Sequence, residues 1–129
     1  MIDEPKLVMV ADADAHVRDL VGRFITEAGF QVTFAVDGYD ALDSARSKPP
    51  LIILADVLLP RLDGLALCRI LKGDPATAGI ITVIVFSVLS AEERARKAGA
   101  DGFIQKPLEK KRVLKTLSDA WAKKDGKNE

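Results

Sequence analysis

The feature that most restricts the fold is the run Leu51-Ile52-Ile53-Leu54-Ala55, which stops at Asp56. So short and uniformly apolar a run, closed by a turn, reads as a strand buried on both faces of a parallel sheet. Right-handed crossovers then lay helices on both faces of that sheet. The rest of the chain supplies them. Leu7 to Ala11 is a first strand ending at Asp12, and Gln31 to Val36 alternates as a strand nearer the sheet edge. Ile80 to Phe86 is a second central strand ending at Ser87, and Gly102 to Gln105 is a short last strand reaching Lys106-Pro107.

Five helices fit between and after these strands. Asp14 caps the first, Val17, Leu20, Val21, Phe24, Ile25 and Ala28 repeat along it, and Gly29 stops it. Tyr39 to Ser47 is short, turns Leu42 and Ala45 inward and ends before Pro49-Pro50. Leu65, Cys68, Ile70 and Leu71 mark a third, stopped near Gly73-Asp74-Pro75. Ser90-Ala91-Glu92-Glu93 has the pattern of a capping box opening a fourth, which reaches Ala98 and offers the core little but alanine. Leu108 to Lys124 carries Val113, Leu114, Leu117, Ala120 and Trp121 on one face. This alternation defines an α/β domain over residues 5–124 with a polar tail at 125–129. Periodicity leaves the strand order open.

At 129 residues the chain fits one domain with a sizeable core. Nineteen basic residues balance nineteen acidic ones, so no global field favours direct binding to nucleic acid or an anionic membrane. Cys68 is alone, which fits a reducing compartment, and Met1 to Lys6 lacks a signal-peptide apolar region. The longest apolar stretch, Ile80 to Leu89, is too short to span a bilayer. A cytoplasmic protein is expected.

Four strand ends carry chemistry: Asp12, Asp56, Ser87 and Lys106. In a parallel sheet all four lie on the carboxyl edge, where ligands collect. Two carboxylates, a hydroxyl and an ammonium suit Mg²⁺-assisted phosphoryl chemistry, with hard oxygens for the metal and a carboxylate as nucleophile. Lysine and hydroxyl would then stabilise the phosphoryl oxygens. Singly, each has a plainer explanation: Asp12 and Asp56 as turn formers, Ser87 satisfying backbone, Lys106 as a solvated loop residue. Phe103 and Cys68 read first as core, His16 has no evident role, and Lys110-Lys111-Arg112 reads as a solvated helix face.

Taken together these residues resemble the receiver domain of two-component response regulators. The motifs are Ala11-Asp12-Ala13-Asp14, Asp56 with Leu59-Pro60 and Asp63-Gly64 after it, Ser87 behind an apolar strand, and Gly99-Ala100-Asp101-Gly102-Phe103 leading into Lys106-Pro107. The resemblance implies a flavodoxin-like sheet of order 2-1-3-4-5. It implies Asp56 as phospho-acceptor, taking its phosphoryl group from a histidine kinase or phosphotransfer protein. Mg²⁺ would be held by Asp12, Asp56 and the Leu58 backbone carbonyl, with Asp14 as a further candidate. Lys106, before a cis bond to Pro107, and Ser87 would bind the phosphoryl group. Phe103 would be the switch presented with the Ser90 helix to a downstream output protein or domain.

Two positions depart from the family pattern. Ala13 stands where a second acid is usual, which implies weak Mg²⁺ binding. Val88 replaces the usual small residue after the hydroxyl and narrows access. Leu58 and Leu89, two residues beyond Asp56 and Ser87, cannot orient a hydrolytic water, so a phosphoryl group should be long-lived once formed. The rival readings are a degenerate receiver serving as a phosphorylation-independent docking domain, and a small Mg²⁺-dependent phosphotransferase or phosphatase. Against the enzyme, the chain has no Gly-rich nucleotide loop, lid or spare general base.

Overall fold

A computed structural model describes residues 6–126. The 1–5 segment, which carries the expected domain start and the leader reading, lies outside the described residues, as does 127–129 of the expected tail. Five parallel strands form one sheet: β1 (Leu7–Ala11), β2 (Gln31–Ala35), β3 (Ile52–Asp56), β4 (Thr82–Ser87) and β5 (Gly102–Gln105), in the order β2-β1-β3-β4-β5. All four pairings are parallel. The helices are α1 (Ala15–Glu27), α2 (Gly38–Ser47), α3 (Gly64–Gly73), α4 (Pro75–Ala78), α5 (Glu92–Lys97) and α6 (Lys110–Gly126).

Strand alternation splits the core in two. Met9, Ala11, Ile53, Ala55, Val83 and Val85 face one way and pack with α2, α3 and α5. Val8, Val10, Ile52, Leu54, Ile84, Phe86 and Ile104 face the other way and pack with Val21 and Ile25 of α1 and Val113, Leu117 and Ala120 of α6. Every residue of β3 and β4 is buried, as their uninterrupted apolar runs require. β2 lies at the edge, where Phe34 is exposed.

Several boundaries differ from expectation. Asp74 and Pro75 end α3 but also begin α4: Asp74 accepts the Ala76 N–H and Pro75 takes the first turn, where its missing N–H is harmless. This makes six helices rather than five. β4 starts at Thr82 because Ile80 and Ile81 donate their N–H groups to the Thr77 carbonyl. Ser90 is not the cap of α5. Ala91 is, without any side-chain bond, because its buried methyl anchors the turn in the core. Leu20 and Ala28 of the α1 stripe are exposed. The last helix begins at Lys110 rather than Leu108 and continues to Gly126, so 125–126 belong to α6.

Candidate functional site at the carboxyl edge of the sheet

Asp12 follows β1 directly, and the register sets Ala11 beside Ala55, so Asp12 and Asp56 end neighbouring strands with the same side-chain sense. Both are buried. Lys106, one residue past β5, reaches back between them. Its Nζ lies 3.2 Å from Asp12 Oδ2 and 3.3 Å from Asp56 Oδ2, and 5.1 Å from the centre of the Phe86 ring. The aliphatic stem can thus lie along the sheet while the ammonium serves two acids. The Lys106–Pro107 peptide is cis.

The remaining carboxylate oxygens are held by backbone. Asp56 Oδ1 accepts the Leu58 N–H at 3.2 Å, and Asp12 Oδ1 accepts the Asp14 N–H at 2.8 Å. Arg18 donates to the Asp12 carbonyl at 2.7 Å, tying the first turns of α1 to the end of β1. Burial pushes the Asp56 carboxyl above its ordinary value. The Leu58 N–H and Lys106 oppose that shift, while the Asp12 charge adds to it.

Behind Asp56 the chain returns closely on itself. Gly64 opens α3 against the Asp56 carbonyl, and a Cβ there would collide with that oxygen. Gly64 N–H also donates to the Val57 carbonyl at 3.0 Å. The Gly64 of the Asp63-Gly64 motif is what permits this approach to the acidic strand.

Other expected residues occupy varied positions. Asp14 is exposed, and its Oδ1 accepts the His16 N–H at 2.8 Å, so its carboxylate caps α1. Ser87 is buried at the end of β4, one residue beyond the Phe86 that pairs with Asp56, and its Oγ accepts the Leu89 N–H at 3.0 Å. Among the described hydrogen bonds none joins Ser87 to Asp12, Asp56 or Lys106. Leu58, Val88 and Leu89 are exposed on the loops after β3 and β4. Phe103 is half-buried and lines a groove of about 490 Å³ with Ser90, Glu92, Glu93, Gln105, Arg112 and Thr116. Sequence reasoning missed Arg18 and Gln105, because each acts on backbone carbonyls that only the fold brings within its reach.

Mg²⁺ keeps several waters and accepts one or two carboxylates beside phosphate oxygens. Asp12 and Asp56 meet that minimum. Among the described residues no group of three or more His, Cys, Asp or Glu side chains is placed to hold a metal.

A doubly covered parallel sheet of order 2-1-3-4-5, with two buried acids and a lysine converging at its carboxyl edge, is the arrangement of a receiver fold. Residues 8–118 match the response regulator receiver domain family, and the chain belongs to it. It is 35% identical over 107 residues to the response regulator MprA of Mycobacterium tuberculosis, covering 83% of this chain and 46% of that protein. The chain thus spans about half the length of the curated relatives it matches. The receiver domain of NtrX from Brucella abortus is similar at a TM-score of 0.79 and 28% identity, over 88% of this chain and 96% of that one. The receiver domain of a signal transduction histidine kinase from Syntrophus aciditrophicus is similar at 0.77 and 30%, over 88% and 91%. This chain is therefore a receiver domain of two-component signalling.

Proposed function

We propose that Asp56 accepts a phosphoryl group from a histidine kinase or phosphotransfer protein and that the modified domain presents a changed face to a downstream protein or domain. The observation that supports this best is Lys106 Nζ lying between the buried carboxylates of Asp12 and Asp56. Asp56 Oδ2 is the nucleophile, and the phosphorus–nitrogen bond to the donor histidine breaks as the acyl phosphate forms. Lys106 then neutralises a phosphoryl oxygen. Ser87 supplies a hydroxyl from the neighbouring strand end. Asp12, Asp56 and the Leu58 carbonyl would hold Mg²⁺, which spreads the charge of the transferring group. Ala13 makes that hold weak.

The unit that does this is the domain proposed at 5–124, in the cytoplasm with its phosphodonor. Receiver domains are generally signal modules rather than enzymes, and no turnover of a free substrate is proposed. Among the described residues no helix is long and apolar enough to cross a membrane. A second reading, a docking domain that works without phosphorylation, is favoured by the loss of an acid at Ala13.

Incubation of the full chain with a small acyl phosphate and Mg²⁺, read by intact mass, separates the readings. A single phosphoryl adduct that Asp56→Asn abolishes supports the acceptor. An unmodified chain supports docking, and continuous consumption of the donor supports an enzyme.

A further inference from the structure

Between Ser87 and the start of α5 the backbone leaves the sheet, with Val88 and Leu89 exposed. The bonds that hold this stretch are few. Lys106 N–H donates to the Ser87 carbonyl at 2.8 Å, extending the β4–β5 ladder by one step. Within the loop itself, Leu89 N–H donates to Ser87 Oγ at 3.0 Å and Ala91 N–H donates to the Leu89 carbonyl at 2.9 Å. Gln105 Nε2 donates to the Ser87 carbonyl at 3.1 Å and to the Val88 carbonyl at 2.9 Å. Among the described residues, Gln105 is the one side chain from another element that hydrogen-bonds this loop. Only the NH₂ end of an amide can face two carbonyls, because the reverse orientation would crowd three oxygens together.

Gln105 also stands two residues beyond Phe103, on the same face of β5. Both line the groove that Ser90, Glu92, Glu93 and Arg112 complete. One amide group therefore belongs both to the loop carrying Ser87 and to the groove beside α5.

The geometry points to Gln105 as a positioning residue, a latch that holds the Ser87–Leu89 loop at rest and keeps the Ser87 hydroxyl turned from Asp56. Its effect on phosphorylation rests on the acceptor reading above; its grip on the loop does not. Asp56 pairs with Phe86, so Ser87 lies one position further along β4 with the opposite side-chain sense. For its hydroxyl to reach a group carried on Asp56, the backbone at 87–88 must turn. That turn displaces both carbonyls that Gln105 holds.

The test uses the full chain with two substitutions. Gln105→Met keeps an unbranched chain and removes both donors, whereas Gln105→Lys restores donors at similar reach. Amide hydrogen exchange at Leu89 reads the loop, exchange in β1 and β3 reads global stability, and intact mass reads the rate of adduct formation with a small acyl phosphate and Mg²⁺. Gln105→Met should speed Leu89 exchange by about tenfold with β1 and β3 unchanged. It should speed adduct formation several-fold, while Gln105→Lys stays close to the parent in both. Unchanged Leu89 exchange in Gln105→Met overturns the latch. So does slower phosphorylation, which would make Gln105 an organiser of the reactive loop rather than a restraint. A parent chain that takes no adduct refutes the acceptor reading alone, and the exchange comparison then decides the latch.

Discussion

Replacing Asp56 with asparagine should make the domain more stable at neutral pH, and by an amount that fades in acid. One ammonium serves two buried carboxylates, 3.2 and 3.3 Å from Lys106 Nζ, so the two Oδ2 atoms are no more than about 6.5 Å apart. At an effective dielectric near 20, each contact with lysine amounts to about 5 kcal/mol of attraction and the acid–acid repulsion to at least roughly 2.5 kcal/mol. Desolvation adds several kcal/mol of opposing cost per ion. The Asp56 carboxyl is held above its ordinary value chiefly by burial, so the opposing contributions win and ionised Asp56 costs stability. Asparagine keeps an oxygen to accept the Leu58 N–H and sheds the charge. The expected gain is about 1–2 kcal/mol at pH 7, or roughly 4–7 °C in Tm for a domain of this size.

The pH dependence follows from linkage. Because the folded-state value lies above the unfolded one, the native state binds the proton more tightly, and the parent loses stability as pH rises from about 3.8 through the raised value. Below 3.8 Asp56 is protonated in both states and its ionisation no longer costs anything. Urea unfolding of parent and Asp56→Asn at a series of pH values from about 3.5 to about 7.5 isolates this residue because all other carboxylates are shared. A variant less stable than the parent at pH 7 would refute the reasoning, as would a difference that does not shrink in acid.

Ala13→Asp should add a third hard-oxygen donor beside Asp12 and tighten Mg²⁺ by roughly tenfold in a calorimetric titration; an unchanged affinity would show that the acid pair alone sets the site. Gly64→Ala should destabilise the domain by about 1–3 kcal/mol in chemical unfolding, because its methyl meets the Asp56 carbonyl, and a neutral result would mean that the loop yields freely. Cys68 should resist a thiol reagent in the folded protein, being buried, bonded to the Ala98 carbonyl at 3.4 Å and pushed up to about 11. Labelling as fast as in urea would contradict that. A phosphoryl adduct on Asp56 should outlast removal of the donor, since Leu58 and Leu89 present no polar group to a water; rapid spontaneous loss would exclude it.

The sheet was legible because its strands leave strong traces. β3 and β4 are buried on both faces and read as unbroken apolar runs, while β2 alternates as an edge strand does. Strand order was not legible from periodicity and came through resemblance, which the structure matches. Short elements failed where one residue serves two purposes: Asp74 and Pro75 both stop α3 and begin α4. The Ser90 pattern misled because burial of Ala91 outweighed a side-chain cap. At the carboxyl edge, Asp12, Asp56 and Lys106 stood out because each interrupts or follows a strand signal. Gln105 and Arg18 did not, since their role depends on which backbone carbonyls the fold brings within reach.

The two sides of the acidic pocket are built to different stiffness, and this gives a charge placed there a direction. On one side, β1 and β3 are central, fully packed, and tied by backbone bonds to both carboxylates. On the other, α5 is a helix of six residues whose anchors are the methyls of Ala91, Ala95 and Ala98. A methyl group contributes about 0.8 kcal/mol on burial, against roughly 1.5–3 kcal/mol for a leucine such as Leu67 or Leu71 in α3. Moving β3 would unpack side chains on both faces of the sheet, whereas shifting α5 disturbs three small groups, the weak Cys68 thiol bond to the Ala98 carbonyl and the bonds of one glutamine. On the proposed reading, a rearrangement driven from Asp56 follows the softer route, through Ser87 and its loop to α5 and the groove lined by Phe103.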